Sequence, residues 1–415
     1  MMKNSKKTLL SVSLVMLVLA LCLSIMSGCK SNPSTQESTP SSVISQTSET
    51  SQPVVEKSTE PQESDETEVS KTSIPEPSIP SGDLKFSEGF EFESNGDGTC
   101  TIIGIGTCTD KDIVIPEKSP DGDTVTLIKE YALTSLEDID SVTLVNYKYK
   151  IDKSAFQYGK FKTLKIIGGT PKIDEYAFYS CEKLTSMEFK DCSIEVGKYA
   201  LSSCGKDMNI TFSNCIGSID ESAFQYSKSS NLTIDNSELE IGKYAFYSCE
   251  DLTSILFKDS TIEAGEYAFS SCGDSAKIEI NNCSITFDDC AYQYSSLDSL
   301  TISGGNVKLG EYVFYSCEDM SNVKIDCNSV SMGKYAFSSC EDLISISICD
   351  NSKSDNEIKI KDSAFQYCDK LKSVNIGNGK VEIGKYVFYE CSEDLAISIA
   401  GNSYNADSIE KGISL

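Results

Sequence analysis

The 415-residue chain contains no His, no Trp and no Arg; its 36 basic residues are all Lys, set against 63 acidic residues, for a net charge of -27. Each absence removes chemistry. Without His there is no Ser-His-Asp or Cys-His pair to activate a nucleophile, and no His-ligated zinc. Without Arg there is no bidentate clamp for carboxylate or phosphate. The acidic balance argues against nucleic acid as a partner, because phosphates need clustered Lys or Arg. It argues equally against anionic lipid headgroups as the main partner. Proline is confined: seven of ten lie between Pro33 and Pro80, and none follows Pro171. Uninterrupted strand pairing prefers such chain. No cofactor, metal or catalytic residue is expected. The acidic pairs Glu250-Asp251, Glu318-Asp319 and Glu341-Asp342 lack the D-x-[DN]-x-[DN]-G frame of a calcium loop and read as solvated charge. Gly104 and Gly106 in "IIGIGTC" lack the third Gly and following helix of a dinucleotide fingerprint.

At the N-terminus Lys3, Lys6 and Lys7 precede an apolar run over 9–26, followed by M-S-G-C at 26–29. A basic start, an apolar core and small residues before a cut describe a secretory signal, residues 1–28. The Cys after Ser-Gly resembles a bacterial lipobox, which implies lipidation of Cys29 and attachment to the membrane through the lipid. An uncleaved membrane anchor and plain secretion are the alternatives. Residues 29–82 then form a tether dominated by Ser, Thr, Pro and Glu; 30–82 contain no aromatic residue. Such composition cannot offset its ordering entropy and is expected to stay disordered. Its ends would sit roughly 40 Å apart as a coil and roughly 170–190 Å apart when pulled straight.

What is abundant is repetition. "KYAFYSCEDL" at 243–252 has near-copies at 175–184, 311–320 and 334–343. Aligned on the second residue of each Ala-Phe pair, twelve positions follow one another: Leu133, Phe156, Phe178, Leu201, Phe224, Phe246, Phe269, Tyr292, Phe314, Phe337, Phe365 and Phe388. Every step is 22 or 23 residues except one of 28, where the polar stretch "NSKSDN" is inserted at 351–356. A period in the low twenties signals a solenoid. Within each unit a short A-F-x-x-C turn precedes two stretches of alternating hydrophobicity separated by a polar corner. Alternation argues for half-buried strands, with at most one helical turn per unit. The residues after Phe cycle as Q-Y-x, Y-S-C, S-S-C, so the higher unit is 68 residues and points to tandem duplication of a three-repeat block.

The words A-F-x-x-C-x-x-L and I-x-x-x-A-F resemble the BspA-type leucine-rich repeats of bacterial surface proteins. The segments 96–133 and 402–415 look like that family's terminal units, so the resemblance covers about 96–415. It implies a curved, mainly β, right-handed leucine-rich-repeat solenoid with a parallel sheet. It also implies cell-surface display and binding of host or bacterial macromolecules. The chain then divides into an N-terminal β cap unit at 83–130, a solenoid at 131–391 and a C-terminal cap at 392–415. Twelve units would span roughly 55–60 Å.

Four rows of residues follow from the stacking. The Phe row (Phe156, Phe178, Phe224, Phe246, Phe269, Phe314, Phe337, Phe365, Phe388) is expected inside. A cysteine ladder follows Phe by three: Cys181, Cys204, Cys249, Cys272, Cys317, Cys340, Cys368 and Cys391, interrupted by Gly159, Ser227 and Ser295. A second row, Cys192, Cys215 and Cys283, sits at the polar corner. Equivalent positions in adjacent units come within disulfide range, and export permits the bond. Replacement by Gly or Ser fits a small buried slot with free thiols instead; both states stay open. Tyr176, Tyr199, Tyr244, Tyr267, Tyr312, Tyr335 and Tyr386 form an aromatic stripe beside Ala-Phe. It reads either as rim packing or as a binding surface. The expected function is a surface-tethered scaffold or adhesin that binds an extracellular protein or glycan polymer without catalysis. A glycan-binding or glycan-hydrolysing envelope protein is the alternative.

Overall fold

The computed structural model describes residues 85–349 and 356–415. The leader, Cys29, the tether and most of the polar insertion lie outside the described residues.

Each repeat contributes two short strands, and its alternating pattern decides which side chains are buried. In β15 (Ser254–Lys258) Ile255 and Phe257 are buried, while Ser254 and Lys258 are exposed and Leu256 is half-buried. In β16 (Thr261–Ala264) Ile262 and Ala264 are buried. The next repeat adds β17 (Ala276–Asn281) and β18 (Ser284–Phe287) in parallel register, with Ile255 opposite Ile278 and Ile262 opposite Ile285. The result is two long sheets, one of 14 strands and one of 15. First strands of successive repeats pair in one sheet, second strands in the other. The whole is a β-solenoid of about 13 turns of roughly 23 residues. The parallel sheet that the family resemblance implies is present twice, because both alternating stretches of each repeat are long enough to ladder.

The polar corner between the strands has a backbone reason. Asp191, Asn214, Asn236, Asp259 and Asn282 have φ between 46° and 55°. Asn and Asp tolerate this left-handed conformation better than other residues with a Cβ. Their side chains then bond from repeat to repeat: the Asn236 amide donates to Asn214 and the Asn214 amide to Asp191, each at 2.7 Å.

The A-F-x-x-C segment is built from overlapping β-turns rather than helix. In one repeat the N–H groups of Ala245, Tyr247 and Cys249 donate to carbonyls three residues back, at 3.0–3.3 Å. The intervening N–H groups of Tyr244, Phe246 and Ser248 donate instead to Glu266, Ala268 and Ser270 of the next repeat, at 2.7–3.2 Å. Aiming alternate donors out of the repeat requires two left-handed residues, Tyr244 (φ 58°) and Ser248 (φ 53°). Left-handed backbone costs roughly 1–2 kcal/mol per residue, and the inter-repeat hydrogen bonds offset it at about 0.5–1.5 kcal/mol each. Among the described residues the only helix is one turn, Ala406–Ile409, outside the array.

Inward residues of both sheets and of the turn form one hydrophobic core. The Phe row runs through it as stacked rings. Phe224–Phe246 and Phe246–Phe269 have centroids 4.8 and 5.0 Å apart with planes within 6°. The repeat spacing of a parallel ladder, about 4.8 Å, imposes this stack. Leu201 interrupts it, and Tyr292 continues it between Phe269 and Phe314. Tyr292 is fully buried and its hydroxyl has no hydrogen-bond partner. A buried unsatisfied polar group costs about 1–3 kcal/mol. Tyr292→Phe is therefore expected to stabilise the protein by about 1 kcal/mol or more, read as a higher denaturation midpoint. A lower midpoint would show that the hydroxyl is satisfied.

Strands that run the other way cap the 15-stranded sheet at the N-terminal end and both sheets at the C-terminal end. β1 (Glu91–Ser94) pairs antiparallel with β2 (Thr99–Gly104). At the far end β28 (Asn402–Tyr404) and β29 (Ile413–Ser414) pair antiparallel with β27 (Ala396–Ile399) and β26 (Lys380–Ile383). Such caps hinder end-to-end association of the sheets they cover.

Candidate functional site

The tyrosines do not form a continuous stripe. Because every third repeat carries Ser154, Ser222, Cys290 or Ser363 in the slot before Ala-Phe, the ladder is cut into pairs. Tyr176 stacks on Tyr199, Tyr244 on Tyr267 and Tyr312 on Tyr335, with centroids 4.9–5.4 Å apart. Two more tyrosines complete each group. Tyr179, Tyr247 and Tyr315 meet the first ring of each pair edge-on at 5.5–5.6 Å. Exposed Tyr158, Tyr226 and Tyr294, from the preceding Q-Y repeats, meet Tyr179, Tyr247 and Tyr315 at 5.9–6.2 Å. Three patches of four rings result. A fourth is partial, with Tyr367, Tyr386 and Tyr389. The patches recur every three repeats, which is about 14–15 Å along a ladder with 4.8 Å spacing.

Tyr158, Tyr226 and Tyr294 are 49–53% exposed, so one edge of each patch faces water. The stacked pairs are half-buried. Burial raises the hydroxyl pKa of Tyr244, Tyr267 and Tyr312, leaving them neutral donors at physiological pH. Lys153, Lys198 and Lys243 lie over the rings of Tyr176, Tyr199 and Tyr244 at 5.2–5.5 Å. The same lysines pair with Glu175, Glu221 and Glu266 of the next repeat. These exposed ion pairs add little stability; they flank the aromatic edge with paired charge. The sequence reading missed Tyr179, Tyr247, Tyr315 and Tyr389, although the Y-S-C member of the three-repeat cycle carries them.

A shallow groove of about 500 Å³ runs beside the second sheet, lined by Ser218, Asp220, Glu240, Gly242, Glu263 and Thr286 among others. Glu240 and Glu263 stand side by side in register. Farther along, burial and the neighbouring carboxylates of Glu341, Asp319 and Asp342 raise the pKa of Glu318. No group of three or more metal-ligating side chains occurs among the described residues.

The cysteine ladder lies inside except for half-buried Cys391, and each thiol is held by a carbonyl of an earlier repeat. The Cys204 thiol donates to Phe178 at 3.0 Å, Cys272 to Phe246 at 2.8 Å and Cys340 to Phe314 at 3.2 Å. Cys181, Cys249, Cys317, Cys368 and Cys391 make the same bond at 3.1–3.4 Å. Ser227 and Ser295 substitute with hydroxyls at 2.8 and 2.9 Å. The slot thus selects a small buried donor, which Cys and Ser both provide. Gly159 is the exception for a steric reason: a Cβ there would lie 2.4 Å from the Phe161 ring, which fills the space. Burial pushes the Cys340 thiol up to about 12 and raises Cys272 and Cys317 as well, so these are protonated donors and poor nucleophiles.

Comparison with known proteins matches the model of the BspA type leucine-rich repeat region in six copies, over 111–231, 149–272, 217–344 and 331–411. The chain belongs to this family. Among solved structures it is similar to a leucine-rich repeat protein from Bacteroides ovatus, at 20% identity over 75% of this chain and 93% of that one, TM-score 0.33. It is also similar to a leucine-rich cell surface protein from Faecalibacterium prausnitzii, at 17% identity over 70% and 89%, TM-score 0.31. The pneumococcal vaccine antigen PcpA is similar at 16% identity over 75% and 79%, TM-score 0.31. No curated protein matches the chain.

Proposed function

We propose that this is a cell-surface binding protein, held outside the membrane by lipid on Cys29, that grips an elongated extracellular protein or glycan polymer through its tyrosine patches without chemically changing it. The observation that carries this reading is the recurrence of the same four-ring patch at a constant interval. Tyr gives large contact area at low entropy cost. Equivalent weak sites on a rigid array favour a partner that is itself repetitive, through avidity.

The test uses the mature chain against immobilised glycans and extracellular proteins, followed by titration of whichever polymer binds. Replacing Tyr226, Tyr247 and Tyr244 by Ala removes one patch. It is expected to weaken polymer binding about tenfold or more while leaving short monovalent fragments bound by the other patches. Unchanged polymer affinity would dismiss the patches as rim packing. Cys29→Ala is expected to release the protein to the medium.

The groove with Glu240 beside Glu263 favours glycan hydrolysis as the second reading, since glycosidases work with a pair of carboxyl groups flanking the scissile bond. Product formation that is abolished by Glu240→Gln or Glu263→Gln would establish that reading over the first.

A further inference from the structure

The corner row holds two sulfur atoms that the backbone brings together. Cys192 and Cys215 immediately precede Ser193 and Ile216, which are register partners in the parallel pair β10 (Ser193–Val196) and β12 (Ile216–Ile219). Both are fully buried, and their Sγ atoms are 3.6 Å apart. Register neighbours in a parallel sheet have Cα atoms about 4.8 Å apart, inside the window of about 4.4–6.8 Å that a disulfide spans. We propose that Cys192 and Cys215 form a disulfide in the exported protein, a covalent staple between adjacent turns of the solenoid. This rests on the reading that the chain leaves the reducing cytosol.

The row contains its own controls. Where the slot is Ser, the repeats are linked by a hydrogen bond. The Cys215 N–H donates to the Ser237 hydroxyl at 3.0 Å, and the Ser237 N–H to that of Ser260 at 3.1 Å. Cys283 comes next in the row and has Ser260 before it and Gly305 after it, so it has no sulfur in register. Within this row only Cys192 and Cys215 place sulfur against sulfur. Side-chain contacts also join Cys327 to Cys349 at a later corner, and Cys181 to Cys204, Cys249 to Cys272 and Cys368 to Cys391 in the turn ladder, where the thiols also donate to carbonyls. The Cys215 thiol also donates, to Phe189 at 3.3 Å and Ser213 at 3.4 Å. Those two long contacts are given up when the sulfurs close to about 2.05 Å.

The chemistry balances by thiol–disulfide exchange. One thiolate attacks an external disulfide, either a small molecule or a dithiol–disulfide oxidoreductase, and releases one thiol. The second thiolate displaces the remaining half of the mixed disulfide. Two protons and two electrons leave the cysteines, and the external disulfide departs as two thiols. Burial of both residues places this step during folding, before the neighbouring turns close over the corner.

The experiment takes the full-length chain, reduced and unfolded, and refolds it in a buffer of reduced and oxidised glutathione. Free thiols are alkylated in denaturant, the rest are reduced and labelled with a second reagent, and peptides are mapped. Cys192 and Cys215 are expected to carry the second label, and Cys283 the first. Cys192→Ser, with the residue the slot already accepts at Ser237 and Ser260, is expected to return Cys215 to the first label. Oxidised wild type is expected to show a higher denaturation midpoint that dithiothreitol reverses, a shift absent in the variant. First label on both Cys192 and Cys215 after refolding, or a dominant cross-link elsewhere, overturns the proposal. Because refolding supplies the oxidant, this outcome is independent of where the cell places the protein. A cellular fraction showing the chain in the cytosol would instead count against export.

Discussion

Phe246→Ala is expected to remove about 3–5 kcal/mol of stability from the centre of the array. Phe246 is fully buried, and its ring lies between Phe224 and Phe269, 4.8 and 5.0 Å away. Truncation therefore leaves a ring-sized void and strips a face from two further rings, in a core too close-packed to collapse around it. In a linear array, stability resides in each repeat and in its contacts with neighbours. The damage is expected to stay local, so one cooperative transition should divide into two. Denaturant titration combined with amide hydrogen exchange checks both parts. A loss below about 1 kcal/mol would place Phe246 outside the core.

Gly217→Ala ranks next, at about 3 kcal/mol or more. Gly217 occupies a strand position paired with Ile194 on one side and Leu239 on the other, where an apolar side chain would be the rule. Its φ is 139°, a region open to glycine and costly for other residues by about 1–3 kcal/mol. A Cβ would also lie 1.9 Å from the Ile194 carbonyl oxygen. Backbone must move on at least one of the two strands. The adjacent Ser218→Ala serves as control and is expected to change stability by less than about 0.5 kcal/mol. Equal midpoints for the two variants would contradict the described backbone.

Much of this architecture could be read from residues alone. The 22–23-residue step, the buried Phe row and the strand alternation around Ile255 and Phe257 share one cause: burial must repeat whenever the backbone does. The number of sheets was less accessible, since alternation at Leu239 and Ile241 separates inside from outside without naming the partner strand. The left-handed turn at Tyr244 was invisible, because a bulky residue carries no mark of positive φ as glycine does. The cysteine slot was read as small and buried, while its requirement for a hydrogen-bond donor emerged only once the Phe178 and Phe246 carbonyls were located. The tyrosine patches needed three dimensions for a similar reason. Tyr226, Tyr244 and Tyr247 belong to two different repeats, and only stacking brings their rings together.

The outward-aimed donors of the turn give the array a direction in time. Phe156 donates forward to Ala177, Phe178 to Ala200 and Phe246 to Ala268, so each turn is completed by chain that is synthesised after it. A repeat emerging first must wait for its successor before its backbone is satisfied. The last one is finished by the tail, where the Tyr386 N–H reaches the Glu410 carbonyl at 2.9 Å. One terminator therefore serves an array of any length. Unequal recombination between 68-codon blocks would add or delete a patch while leaving both ends and every junction chemically unchanged. Lineages could thus vary the reach of this surface by copy number alone, with no new interface to invent.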